Sequence, residues 1–169
     1  MKKLIALILV AVMAVSMVAC GSKAADKAPL EGTMEENVMK IMEIAPVEFM
    51  GGAIPVDLAD NDSVFYFTGL SSAENITDVS VYEPMMGSQA FSLVMVRTAE
   101  GADPKAVAEE MKAGIDPRKW ICVGADEIMA AGYGDTVMFI MLDSQLGLSA
   151  QAYVDAFQEV CGAELDFTI

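Results

Sequence analysis

The chain contains no histidine, and this absence removes the most common general base and the most common metal ligand of proteins. Catalysis by a Ser-His-Asp or Cys-His arrangement is therefore excluded. Basic residues are also scarce: 10 Lys and Arg stand against 25 Asp and Glu, for a net charge of −15. Because this field repels nucleic acid phosphates and anionic lipid headgroups, the composition argues against a nucleic acid partner.

The sequence also lacks a recognisable metal or cofactor motif, so no cofactor is predicted. The acidic segment that follows Asp60 has Phe65 where a calcium loop needs glycine and Ser71 where it needs glutamate. Most of the 14 methionines fall on predicted apolar faces, which favours a core-filling role over copper binding. Met85 and Met86 are adjacent, and at an exposed hairpin tip this pair could contact a partner.

Residues 1–19 have the organisation of a secretory signal peptide. Lys2 and Lys3 precede an uncharged run of sixteen residues that ends at Ala19, and a membrane span needs about 20. The segment Met17–Cys20 resembles the lipobox of bacterial lipoproteins, in which the cysteine thiol receives a diacylglyceryl group before cleavage. Two acyl chains are enough for stable anchoring. We therefore predict lipidation at Cys20 and a location on the outer face of the cell membrane, attached to the bilayer. The alternatives are a plain signal peptide and an uncleaved anchor helix.

The rest of the chain is predicted to form a tether and one domain. Residues 20–32 comprise Cys20 and a small, polar stretch with Pro and Gly that is typical of a flexible tether. Residues 33–169 are predicted to form a single domain. A capping box of Thr33 and Glu36 indicates the start of its first helix. Val64–Thr68 is predicted to be a strand because it is aromatic and β-branched.

A pattern then repeats at an offset of 46 residues. The apolar runs 91–96 and 137–142 have the length of strands, and each precedes a helix with a good N-cap residue, Asp103 or Ser149. A further strand and a turn precede each run. We predict an α+β fold in which an N-terminal helix and strand are followed by two ββα units. Its mainly antiparallel sheet would carry one layer of helices. True duplication and chance agreement both remain open.

The segment from Asp116 to Cys122 places two cations beside the single tryptophan of an acidic protein. One interpretation is an anion or peptide-carboxylate site, with Arg118 as a fork, Lys119 as a second cation and Trp120 as a platform. The other is a connector between a helix and a strand, with Trp120 buried against the sheet. The second interpretation is favoured.

Cys122 and Cys161 remain once Cys20 is assigned to lipid. Outside the cytoplasm they can form a disulfide, and two free buried thiols are the favoured alternative. Both states are kept open.

The chain resembles a family of uncharacterised lipoproteins from Gram-positive anaerobic bacteria, which share a domain of unknown function. The residues that carry this resemblance lie between Thr33 and about Val160; the main stretches are VFYFTGL (64–70), FSLVMVR with its GADPKAVAEEMK helix (91–112), and PRKWICV (117–123) before VMFIML. The resemblance implies an extracytoplasmic α+β lipoprotein, and it transfers no catalytic or binding residue.

Two classes of function are therefore expected. The first is a non-enzymatic binding or accessory lipoprotein that meets a protein partner or a small ligand. The second is an extracellular hydrolase that uses carboxylates to act on cell-wall material. Such an enzyme needs one carboxyl group with a raised pKa beside an ionised one. No Asp or Glu lies inside a predicted apolar run, so the first class is favoured.

Overall fold

The structure is a computed structural model that describes residues 27–169. The predicted signal peptide, Cys20 and the tether as far as Asp26 lie outside the described residues. Within residues 27–169, four α-helices and six strands follow one another along the chain: α1 (Met34–Ile44), β1 (Gly51–Pro55), α2 (Asn61–Thr68), β2 (Ile76–Pro84), β3 (Phe91–Thr98), α3 (Pro104–Gly114), β4 (Glu127–Tyr133), β5 (Thr136–Leu142), α4 (Ala150–Cys161) and β6 (Phe167–Thr168). A short 3₁₀-helix (Ser144–Leu146) lies between β5 and α4.

The strands form one open sheet in the order β1-β2-β3-β5-β4-β6, and every neighbouring pair is antiparallel. β3 and β5 lie at its centre, with Phe91 opposite Leu142 and Arg97 opposite Thr136. Every residue of β5 is buried, as expected for a strand that is covered on both faces. The structure confirms the α+β class, the antiparallel sheet and the two ββα units, which α1, β1 and α2 precede.

The helices cover both faces of the sheet, whereas the sequence predicted one layer. α1 and α4 pack with Leu93 and Met95 of β3, and α2 and α3 pack with the alternate residues Val94 and Val96. The topology explains this arrangement. α3 connects β3 to β4 across β5, and α4 connects β5 to β6 across β4. Both crossovers move in the same direction across the sheet, but they start from antiparallel strands, β3 and β5. Two crossovers of the same handedness therefore lie on opposite faces of the sheet.

The strand predicted over Val64–Thr68 is wrong, because these residues belong to α2. Asp60 caps the helix by accepting hydrogen bonds from the backbone N–H groups of Asp62 and Ser63, and Gly69 ends it in the left-handed conformation. Phe65 and Tyr66 are exposed on this helix and are not buried within the sheet. The first strand is β1 instead.

Residues 27–32, which were assigned to the tether, pack against the domain. The Nη2 of Arg97 donates hydrogen bonds to the carbonyl groups of Leu30 and Gly32, at 2.7 and 2.9 Å. The Leu30 side chain is buried with α1 and α4. Lys27 forms an ion pair of 2.6 Å with Asp166. These residues, called the N-terminal arm below, are therefore part of the folded unit.

Candidate functional site

The two ends of the sheet differ in chemistry. The N-terminal arm lies beside the turn between β4 and β5, where Lys27 sits 4.9 Å from the ring of Tyr133. We call this end proximal, because the chain reaches the domain there. The turn between β2 and β3 lies at the other end, which we call distal. The six register steps from Phe91 to Arg97 separate the two ends by about 20 Å.

At the distal end, Lys119 lies in an aromatic box formed by Tyr66, Phe67 and Trp120. Its Nζ is 4.6, 5.3 and 5.4 Å from the centroids of these three rings. The same Nζ forms an ion pair of 2.5 Å with Glu83 of β2, and only 3% of the Lys119 side chain is exposed. The charge of Lys119 is thus satisfied within the protein by a carboxylate and three π faces.

Burial dominates the electrostatics of this box. It lowers the pKa of Lys119, and the adjacent Glu83 carboxylate acts in the opposite direction. Burial likewise raises the pKa of Tyr66, again with a contribution from Glu83. Since the Lys119 ammonium already has a carboxylate partner, it offers little to an external anion.

The three residues of the predicted anion site are only partly brought together. Lys119 and Trp120 share the aromatic box, and Trp120 is buried in the core on the α2–α3 face, which matches the connector interpretation. Arg118 is exposed, and its guanidinium makes no ion pair within residues 27–169. The indole N–H of Trp120 is buried without a hydrogen-bond partner in that part of the chain.

Four exposed apolar residues project from three loops at the distal end. Met50, Met85, Met86 and Ile121 are 76, 74, 67 and 73% exposed. Backbone hydrogen bonds tie the loops together: the N–H of Met85 donates to the carbonyl of Met50, and the N–H of Ile121 donates to the carbonyl of Gly87, both at 2.9 Å. We call these four residues the tip surface. The exposure of Met85 and Met86 at a hairpin tip agrees with the sequence expectation.

A cleft of about 630 Å³ also opens at the distal end. It combines apolar walls with two amides and one carboxylate, contributed by Pro46, Glu48, Phe49, Gln89, Gln145, Leu146, Gly147 and Leu148. Its volume falls within the usual range for small-molecule sites. Three loops form it: the α1–β1 loop, the β2–β3 turn and the segment after β5.

Cys122 and Cys161 are both free thiols. Cys161 packs against the core on the α1–α4 face, whereas the neighbours Trp120 and Val123 of Cys122 pack on the other face. Burial raises the pKa of Cys161 to about 12, and Lys27 partly opposes this effect. The structure therefore contains two separate thiols rather than the disulfide, but they are not both buried as expected, because Cys122 is exposed and Cys161 is half-buried.

Sequence reasoning missed Glu83, Tyr66 and Phe67 as partners of Lys119, because they lie on other elements. It also missed Ile121 at the tip surface. No local pattern reports the exposure of Ile121, because residues 120–122 form a bend rather than a strand.

The carboxyl groups with perturbed pKa values do not resemble a general acid. Hydrogen bonds from Ser63, Ser71 and Ser144 lower the pKa values of Asp60, Glu110 and Asp126, respectively. Within residues 27–169, no cluster of three or more Cys, Asp or Glu has the geometry to hold a metal ion. In the same range, no helix has the length and apolar composition needed to cross a membrane.

Comparison of the chain with protein-family models, with curated proteins and with solved structures finds no significant match.

Proposed function

We propose that the protein is an extracytoplasmic lipoprotein, anchored at the outer face of the cell membrane through Cys20, that works as a non-enzymatic binding module. The observation that carries this proposal is the polarity of the domain. The chain from Cys20 reaches the proximal end, and the exposed tip surface lies at the opposite end, about 20 Å away. An anchored domain of this shape can present its tip surface to a partner in front of the membrane.

The anchor is supported by the sequence Met17–Cys20, which follows the lipobox pattern. Only residues 21–26 separate Cys20 from the N-terminal arm, which is packed against the domain. A diacylglyceryl group at Cys20 would therefore hold the proximal end near the bilayer. Two acyl chains bind a bilayer stably at about 0.8 kcal/mol per buried CH₂.

Substitution of the anchor residue tests the location. In the native bacterium or a close surrogate, Cys20→Ala should abolish labelling with radioactive palmitate and shift the protein from the membrane fraction to the medium or to an unprocessed precursor. Cys122→Ala is the matched control, because it removes another cysteine without removing the anchor. A processed Cys20→Ala protein that stays in the membrane fraction contradicts the proposal.

The alternative, a carboxylate-based hydrolase acting on cell-wall material, gains no support from the site. A general acid of this kind needs a raised carboxyl pKa. The shifts at Asp60, Glu110 and Asp126 are all in the opposite direction. A binding role requires only an exposed surface, which the distal end provides.

A further inference from the structure

We propose that the tip surface docks a cationic protein segment, namely one with an apolar stripe flanked by Lys and Arg side chains. The proposal rests on the binding-module function above and specifies the chemistry of the partner. Soluble proteins rarely expose contiguous large apolar patches without a function. Met50, Met85, Met86 and Ile121 are each at least two-thirds exposed.

Backbone hydrogen bonds hold the three loops of the tip surface together. The hydrogen bonds from Met85 to Met50 and from Ile121 to Gly87 join three loops that are distant in sequence. The ion pair between Lys119 and Glu83 connects the same α3–β4 loop to β2. A fixed backbone lowers the entropic cost of binding, and three flexible thioethers allow the surface to adapt to the shape of its partner.

The charge of the chain determines which partner fits. The net charge is −15. At the distal end Lys119 is paired with Glu83, and the exposed carboxylates of Glu48, Asp116 and Asp126 outnumber the exposed cation of Arg118. Approach of a second copy would bring two strongly negative bodies together, which opposes association. A segment with Lys and Arg around an apolar stripe is instead attracted at long range and buries its stripe at the tip surface.

The position of the tip surface disfavours a bilayer as its occupant. Seven residues, Cys20 to Asp26, precede the N-terminal arm and span at most about 24 Å when fully extended. To insert the tip, the domain would have to invert and lift its proximal end by about 20 Å. That geometry consumes almost the whole reach of the tether, and the negative charge adds repulsion from anionic headgroups.

Binding of two designed peptides tests the proposal. The full chain, as processed by the producing cells, is titrated against a fluorescent 18-residue amphipathic helix of Leu and Lys and against its Leu and Glu counterpart with the same apolar stripe. Anisotropy should report binding of the Leu-Lys peptide alone. The triple variant Met85→Gln, Met86→Gln and Ile121→Gln should weaken that binding at least tenfold.

The matched control is the double variant Met39→Gln and Ile44→Gln, which replaces apolar residues of α1 that are 42 and 41% exposed. It should bind the Leu-Lys peptide as the wild type does, because α1 contributes no residue to the tip surface. Equal weakening in both variants, or no binding by the wild type, overturns the proposal.

Two further measurements separate other occupants. A dimer in sedimentation velocity that only the triple variant dissociates would assign the surface to a second copy and overturn the proposal. So would flotation of the Cys20→Ala protein with phosphatidylcholine vesicles that the triple variant abolishes, because it would assign the surface to lipid. Failure of the Cys20 anchor is measured separately and leaves peptide binding unchanged.

Discussion

At the scale of single residues, Lys119 shows how one side chain can be both conspicuous in the sequence and unavailable for binding. Its ammonium is almost fully removed from water, which costs several kcal/mol unless a partner compensates. Glu83 supplies the negative charge, and three rings supply their π faces. In this acidic protein the Lys119 cation therefore has a structural role, because it holds the α3–β4 loop against β2 and α2.

The pair predicts a large stability effect. Glu83→Gln should lower the free energy of unfolding by about 3 kcal/mol, because it leaves the buried Lys119 ammonium without a counter-charge. Glu100→Gln, at an exposed turn residue, should change it by less than about 0.5 kcal/mol. Urea denaturation of both variants provides the measurement.

A rescue variant and the pH dependence of the unfolding free energy test whether the unpaired Lys119 ammonium causes this loss of stability. Adding Lys119→Met to Glu83→Gln should restore much of the loss. Because burial lowers the pKa of Lys119 from its usual 10.5, the unfolded chain holds this proton more tightly, so the cost of Glu83→Gln should shrink as the pH rises toward 10.5. Equal stability of Glu83→Gln and Glu100→Gln would show that the ion pair contributes nothing.

At the scale of elements, α3 and α4 occupy equivalent places in the two ββα units but begin differently. Asp103 accepts a hydrogen bond of 3.0 Å from the N–H of Lys105. Ser149 makes no side-chain cap. The Glu127 carboxylate on β4 accepts the N–H of Ala150 instead, at 2.7 Å. A tertiary contact has thus replaced a local one at the start of α4.

This difference predicts unequal costs for equivalent substitutions. Asp103→Ala should destabilise the protein by about 1 kcal/mol, which is typical for a lost N-cap. Ser149→Ala should cost less than about 0.3 kcal/mol, because no cap is lost. Thermal unfolding of both variants at the same pH makes the comparison, and equal losses would contradict the assignment of Glu127 as the capping group.

The elements also show what the sequence can and cannot predict. The strands near 91–96 and 137–142 and the helices after Asp103 and Ser149 were found because their periodicity is local, as is the cap that Asp103 provides. The prediction of a strand at Val64–Thr68 was wrong, because Asp60 and Gly69 cap the two ends of a helix there and override the strand propensity of the segment. The sequence did not predict that helices cover both faces of the sheet, because this depends on the strand order, which is decided by pairing between distant segments.

The site divides in the same way. Met85 and Met86 were expected at a hairpin tip, because a turn lies next to them in the sequence. The pairing of Lys119 with Glu83, and the alignment of Met50 with Met85, arise only when separate loops meet. No local pattern reports which loops share one end of a sheet.

At the scale of the whole molecule, the N-terminal arm joins the anchor to the domain. Arg97 holds the carbonyl groups of Leu30 and Gly32, and its Nη1 lies 3.3 Å from Asp135. Lys27 reaches Asp166 and the carbonyl of Glu164. The proximal end is thus fastened by contacts to β3, to the β4–β5 turn and to the segment before β6.

Loss of the Arg97 contacts should free the arm. Arg97→Gln should speed trypsin cleavage after Lys27 about tenfold, since hydrogen bonds to a charged group contribute about 1.5–3 kcal/mol and local opening limits cleavage. The fragment that begins at Ala28 is followed by mass spectrometry. Arg118→Gln, which removes an exposed cation at the distal end, should leave the rate unchanged. A rate for Arg97→Gln equal to the wild-type rate, in a domain that melts normally, would contradict this role of the arm.

The closure of the arm on Asp166 and Glu164 also sets an order of assembly. The central pairing of β3 with β5 must wait for residue 142, and the arm cannot be fastened until residues 164–166 are present. For a chain exported as proposed, this timing keeps the domain incomplete while it threads through the translocation channel. The fold then closes only on the far side, after most of the chain has passed.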